Sequence, residues 1–94
     1  MKRMELIANR SVEKEIIEAL ENEIQNFYYT LLPEIFGRGK KQYRLGTAIW
    51  PETNFLLIAY LDDQNAAKAL NIVRQVKEQF PEEGIKLFMM DAVV

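Results

Sequence analysis

The amino-acid sequence predicts one α+β domain in which a four-stranded antiparallel sheet carries two helices on one face. The chain has 94 residues and 49% of them are hydrophobic, which is enough for a single core. Two stretches repeat apolar residues at helical spacing, and apolar runs of strand length lie before, between and after them. The expected order of elements is strand, helix, strand, strand, helix, strand.

The first half of the chain predicts strand, helix, strand. Residues 4–9 form a short, mostly apolar run that predicts the first strand. Ser11 is the expected N-cap of the first helix, because the apolar periodicity begins just after it. Residues 26–36 are rich in aromatic and β-branched side chains and predict the second strand. Pro33 cannot donate a ladder hydrogen bond, so the later half of that strand is expected to be an edge, a bulge or the start of a loop.

The second half predicts a long loop, a strand, a helix and a strand. Residues 37–54 combine glycines with several cations and predict one long loop. Residues 55–61 are almost continuously apolar, which is typical of a central strand buried on both faces. Helical spacing over residues 66–80 predicts the second helix, and residues 85–90 predict the last strand. Right-handed crossovers then give one ferredoxin-like βαββαβ domain over residues 1–94, with one sheet face open or covered by a partner.

The composition excludes several classes of site. The sequence has no cysteine and no histidine, so disulfides, thiolate metal sites and the commonest general base are absent. The 12 basic and 14 acidic residues give a net charge of −2, which provides no general field for nucleic acid. No apolar run approaches the roughly 20 residues that span a bilayer, and the N-terminus lacks the pattern of a signal peptide. We therefore expect a cytoplasmic protein that neither inserts into a membrane nor binds nucleic acid.

Asp62 and Asp63 form an acidic pair that could serve as metal ligands or, with Glu52, as an acid–base set. Helix capping explains the pair better, because both residues directly precede the second helical pattern. Acid–base catalysis needs a cleft and a carboxyl group of shifted pKa, and the sequence indicates neither. We predict no catalytic residues, no metal site and no enzymatic activity, leaving open an oxygen-ligand site for a hard cation.

The segment Gly37-Arg38-Gly39-Lys40 has a physical reason to bind an anion. Glycines allow backbone N–H groups to approach a phosphate, and the two cations can make charge-assisted contacts. The alternative is a solvated basic loop that binds nothing. The residue pattern alone leaves both interpretations open.

Three segments resemble the characteristic segments of a known family in their type and order. Residues 36–40 read Phe-Gly-Arg-Gly-Lys after the second strand, residues 62–64 read Asp-Asp-Gln at the second helix, and residues 83–88 read Glu-Gly-Ile-Lys-Leu-Phe at the last strand. They are similar to the Gly-Arg-Gln-Lys-Gly turn, the Asp-Asp element and the Gly-Lys-Ile-Phe element of the P-II nitrogen-regulatory (signal-transduction) superfamily. Members of that superfamily are small ferredoxin-like proteins that assemble as trimers.

The resemblance implies a regulatory function. It implies a homotrimer that binds a small anionic effector, such as an adenine nucleotide, between subunits, and that signals through the 37–54 loop to a protein partner. Lys86 could instead be a strand lysine that protects a sheet edge. The ligand-binding residues that the resemblance implies are Gly37, Arg38, Gly39, Lys40, Gly84 and Lys86.

Two other functions fit the same topology. The first is a structural or interaction module that packs as a trimer, similar to CutA-type proteins, without a nucleotide site. The second is an RNA-binding domain of βαββαβ topology, which places aromatic side chains on its central strands in a defined pattern. Residues 55–60 lack the basic-glycine start of that pattern, so we do not expect RNA binding.

Overall fold

The computed structural model describes residues 1–39, 46 and 52–94, together with the backbone of 43–44. No helix in these ranges is long and apolar enough to cross a membrane. The helices are α1 (Glu13–Glu23), which follows a 3-10 turn over Arg10–Val12, and α2 (Asp63–Gln79). The strands are β1 (Lys2–Asn9), β2 (Thr30–Ile35), β3 (Gly37–Arg38), β4 (Tyr43–Arg44), β5 (Asn54–Leu61) and β6 (Ile85–Asp91).

The main sheet has the strand order β2-β5-β1-β6, and each neighbouring pair is antiparallel. The central strands are β1 and β5, and Leu6 of β1 lies opposite Leu57 of β5 and Leu87 of β6. The short strands β3 and β4 form a separate two-stranded ladder. The architecture confirms the predicted ferredoxin-like α+β fold.

The core lies between the sheet and the two helices. Every second residue of a strand points to the same face, so one set of side chains from the central strands is buried beneath the helices. Full burial of each large side chain stabilises the fold by about 1.5–3 kcal/mol. The largest fully buried side chains are Phe55, Met4, Leu6, Ile16, Leu20, Ile24, Leu57, Val12 and Val73.

The prediction that Ser11 caps the first helix is wrong. Asn9, the last residue of β1, has an extended backbone, and its side-chain oxygen accepts a hydrogen bond from the Ser11 backbone N–H at 3.1 Å. The chain then makes a 3-10 turn before α1 begins at Glu13. Asn9 therefore caps the 3-10 turn, and the side chain of Val12, at the N-cap position of α1, makes no capping hydrogen bond. The apolar periodicity of the sequence does not indicate the 3-10 turn that separates the cap from α1.

The second strand is shorter than predicted, because the chain after α1 first turns and packs. Asn26 has a φ of 55°, a left-handed conformation that asparagine tolerates. Phe27 is buried, and its ring stacks on Tyr29 with centroids 5.4 Å apart. β2 begins only at Thr30 and forms an edge of the sheet. Its register with β5 shifts across Pro33, as the proline predicts.

No helix or strand that the structure describes packs on the sheet face opposite α1 and α2, and we call this face the open face. On β5, Leu56 and Ile58 are half-buried and Tyr60 is exposed. The prediction that this strand is buried on both faces is therefore wrong for the single chain, since both helices cover the same face. On β6, Phe88 and Met90 add exposed apolar side chains. Large exposed apolar patches on proteins are commonly sites of interaction.

Candidate ligand-binding site

Four strands begin or end at the same end of the main sheet. β1 ends at Asn9 and β2 at Ile35, while β5 begins at Asn54 and β6 at Ile85. Asn54 lies opposite Asn9 on one side and Ile35 on the other. Because neighbouring strands are antiparallel, these four strand ends lie side by side. We call this region the loop end, since the segment predicted as a loop over residues 37–54 leaves and rejoins the sheet here.

The predicted anion-binding turn lies at the loop end beside β2. Gly37 and Arg38 form β3 and pair with β4, so the base of the predicted loop contains a short ladder. A Cβ atom on Gly37 would lie 3.3 Å from Asn54 Nδ2, which means that the glycine backbone passes close to this side chain. Arg38 and Gly39 are exposed, and Lys40 lies outside the described residues. The described part of the turn therefore reaches the surface.

The second predicted segment lies beside β1 at the same end. Gly84 precedes β6, and its carbonyl oxygen accepts a hydrogen bond from the Asn9 backbone N–H at 3.2 Å. Lys86 is exposed and lies opposite Ile7 of β1. Residues directly opposite each other share a sheet face, so Lys86 and Ile7 both belong to the open face. This position fits either role that the sequence leaves open for Lys86, a ligand contact or an edge lysine.

The structure brings the two segments to one end of the sheet but does not bring them together. They adjoin β2 and β6, which form opposite edges with β5 and β1 between them. Neighbouring strands lie about 4.8 Å apart, which places the two edges about 14 Å apart.

Asn9 links the elements around the loop end and was not among the predicted site residues. It is 5% exposed. In addition to its bonds with Gly84 and Ser11, its side-chain nitrogen donates to Glu52 Oε2 at 3.3 Å. A polar residue between a predicted strand and a predicted helix indicates a cap. The other partners of Asn9, Glu52 and Gly84, are distant from it in the sequence. No local pattern could identify this role.

The returning part of the loop packs against its own base. Gly46 has a φ of 67°, and a Cβ atom there would lie 2.7 Å from Phe36 Cε1 and 3.1 Å from Thr53 Cγ2. The Gly46 backbone N–H donates to the carbonyl oxygen of Glu52 at 3.2 Å. A side chain at this position would be strained by its backbone and would collide with the ring, so glycine is required. Phe36 and Gly46 together hold the two arms of the loop close to each other.

The loop end carries charges of both signs. Arg10 Nη1 lies 3.9 Å from Glu34 Oε1, and both side chains are exposed. The exposed Arg38 adds a second guanidinium in the same region. Among the residues that the structure describes, no group of three acidic side chains could hold a metal ion. Guanidinium groups and glycine N–H groups are the kinds of donor that bind anions in proteins.

Solved structures with the same architecture include PII-like proteins and a DUF3240 family protein. CPII, a nitrogen regulatory PII-like protein from Thiomonas intermedia, matches with a TM-score of 0.78 and 17% identity over 99% of this chain and 86% of that chain. A protein from Thermus thermophilus, proposed to be a PII-like signalling protein, gives 0.65 and 20% identity over 99% and 87%. A DUF3240 family protein from Shewanella baltica gives 0.69 and 20% identity over 99% and 90%. The chain has a PII-like fold.

The PII-like fold is the fold that the resemblance of the three sequence segments implies. No protein-family profile and no curated protein sequence matches this chain. CPII is bound to ADP, AMP and bicarbonate in one structure and to ADP and bicarbonate in another. At identities of 17% and 15%, the likeness to these two structures establishes the shared fold.

Proposed function

We propose that this chain is a PII-like regulatory protein that forms a homotrimer and binds a small anionic effector between its subunits. An adenine nucleotide is the effector class that we favour, and the 37–54 loop would report its binding to a protein partner. The separation of the two predicted ligand segments carries the proposal. Gly37 and Gly84 adjoin opposite edges of one sheet, and an effector held between subunits would contact the Gly37 segment of one copy and the Gly84 segment of another.

The chemistry of the turn supports an anionic effector. Gly37 and Gly39 have no side chain, which lets a phosphate approach the backbone N–H groups. Arg38 provides a planar guanidinium for bidentate contact, and Lys40 adds a second positive charge close to it in the sequence. The net charge of −2 gives the chain no general attraction for anions, so recognition depends on this local group.

The hydrogen bonds of the loop end support a signalling role for the loop. Asn9 contacts Gly84 through its backbone and Glu52 through its side chain. Glu52 in turn accepts a hydrogen bond from Gly46, in the returning part of the loop. An effector held at Gly84 and at the Gly37–Gly39 turn would therefore stabilise one arrangement of the loop over others. Ordering of a segment by a bound ligand is a common signalling mechanism.

A thermal-shift panel tests the proposal, because a ligand that binds the folded state raises its stability by mass action. The panel contains ATP, ADP, AMP, cyclic AMP and bicarbonate, each with and without magnesium. We expect a nucleotide-specific rise in Tm for the natural chain. The double variant Arg38→Ala, Lys40→Ala should bind about tenfold more weakly or worse, since each charge-assisted hydrogen bond contributes about 1.5–3 kcal/mol. Arg74→Ala, Lys77→Ala on the exposed side of α2 is the control with the same charge change.

A trimeric interaction module without a nucleotide site is the second candidate. The exposed apolar side chains of the open face favour it, because they can support assembly whether or not the loop end binds a ligand. A well-folded trimer that shows no Tm rise with any member of the panel would support this module and contradict the effector site.

A further inference from the structure

The open face contains an ion pair at the centre of an apolar surface. Its side chains form three cross-strand rows, each centred on one residue of β1 and flanked by residues of β5 and β6. Apolar side chains occupy most flanking positions, and Tyr60 and Phe88 are exposed by 54% and 50%. The rows are Tyr60–Arg3–Met90, Ile58–Glu5–Phe88 and Leu56–Ile7–Lys86.

Arg3 and Glu5 are fixed on this surface by contacts within the chain. Arg3 Nε lies 2.9 Å from Glu5 Oε2, and each side chain is 31% exposed. Arg3 Nη1 also donates to the Tyr60 hydroxyl, and the guanidinium lies 5.6 Å from the centre of that ring. The hydrogen bond to Glu5 is the main cause of a raised pKa for Arg3, so the guanidinium stays charged. The pair therefore presents two charges in a defined geometry.

A partner that covers the open face must satisfy this pair. An arginine has five N–H groups and a carboxylate accepts through both oxygens, so the contacts to Glu5 and Tyr60 use only part of this capacity. A purely apolar partner would remove water from the pair without replacing its hydrogen bonds, which is costly. A second copy of this chain carries the same apolar rows and the same pair of opposite charges. Its surface is therefore complementary to the open face in both polarity and charge.

We propose that Arg3 and Glu5 fix the register in which copies of this chain associate through the open face. The proposal rests on the homotrimer of the proposed function and names the residues that define its contact. Apolar rows alone can slide past one another at little cost, whereas a polar pair is satisfied in few relative positions. A buried polar group that selects one register among apolar contacts is known from coiled coils.

Native mass spectrometry combined with light scattering tests the register. We expect a single oligomeric mass for the natural chain. The variant Arg3→Met, Glu5→Met keeps the surface apolar and removes both charges, so it should still associate but give at least two oligomeric masses. The variant Arg3→Glu places like charges side by side and should weaken association on the order of tenfold or more. Arg74→Met, Glu78→Met on the exposed side of α2 is the matched control and should keep the single mass.

The possible outcomes separate this inference from the effector site. A single, unchanged mass for Arg3→Met, Glu5→Met would overturn the register proposal while leaving the trimer and its ligand intact. A natural chain that stays monomeric at all concentrations would overturn both the register proposal and the assembly on which it rests. Circular dichroism of each variant confirms folding, which is expected because both side chains lie outside the helix-covered core.

Discussion

The side-chain amide of Asn9 donates a hydrogen bond to the carboxylate of Glu52 at 3.3 Å. It connects the end of β1 to the returning part of the loop, while the Asn9 backbone connects the same point to Gly84. One buried residue thus connects the segment at Gly84 to the returning part of the loop.

Replacement of Asn9 by alanine should destabilise the fold by about 1–3 kcal/mol, because it removes the cap at Ser11 and the bond to Glu52 in a buried position. Urea unfolding measures the change. Asn71→Ala is the control, since Asn71 is exposed on α2. Equal stability of the two variants would show that the hydrogen bonds of Asn9 contribute little.

Replacement of Gly46 by alanine should loosen the loop end, with a cost of about 1–2 kcal/mol for the left-handed backbone and an added cost for the contact with Phe36. The double variant Phe36→Ala, Gly46→Ala removes the ring that the new Cβ would meet at 2.7 Å. The cost of Gly46→Ala should therefore be smaller when Phe36 is absent. Amide hydrogen exchange at Arg10, whose N–H donates to Thr53, reports opening of this region. If Gly46→Ala destabilises the loop end equally with and without the Phe36 ring, the contact between position 46 and that ring contributes nothing to the requirement for glycine.

Asp62 and Asp63 should behave differently despite their adjacent positions. The Asp62 side chain accepts a hydrogen bond from the Asn65 backbone N–H at 2.7 Å and caps α2. Asp62→Ala should cost about 0.5–2 kcal/mol in unfolding free energy. Asp63→Ala removes a first-turn charge but no observed capping hydrogen bond, and it should cost about 0.3–1 kcal/mol or less. Larger destabilisation by Asp63→Ala would contradict the assignment of the cap.

The pair formed by Lys2 and Asp91 should make stability sensitive to acid. The hydrogen bond and positive charge of Lys2 lower the pKa of Asp91 in the folded protein. A lowered pKa contributes stability that is present above the unfolded value of about 3.9 and is lost as the pH falls below it. We expect the Tm of Asp91→Asn to fall less between pH 5 and pH 2 than the Tm of the natural chain does. An equal fall in Tm for the natural chain and Asp91→Asn over this pH range would show that the pair of Lys2 and Asp91 does not make stability sensitive to acid.

Much of the fold follows from residue patterns. The periodicity of residues 66–80 predicts α2, and the apolar run at residues 55–61 predicts the central strand β5. Asp62 is one of the two predicted caps. These features are local, so the sequence carries them directly.

The features that the sequence does not predict depend on tertiary pairing. Asn9 acts through partners that are distant along the chain, and the close contact of Gly46 with Phe36 requires both loop arms to meet. The exposed side of β5 depends on which face the helices cover. The predicted segments at Gly37 and Gly84 do reach one end of the sheet, but their placement at opposite edges follows from the strand order.

Native mass spectrometry of the natural chain with and without ADP tests the central claim most directly, because it reports subunit number and bound ligand together. We predict a trimer that binds up to three ADP molecules, with binding lost in Arg38→Ala, Lys40→Ala and kept in Arg74→Ala, Lys77→Ala. A monomer, or an assembly that binds ADP equally well with and without Arg38 and Lys40, would contradict an effector site formed between subunits by this turn.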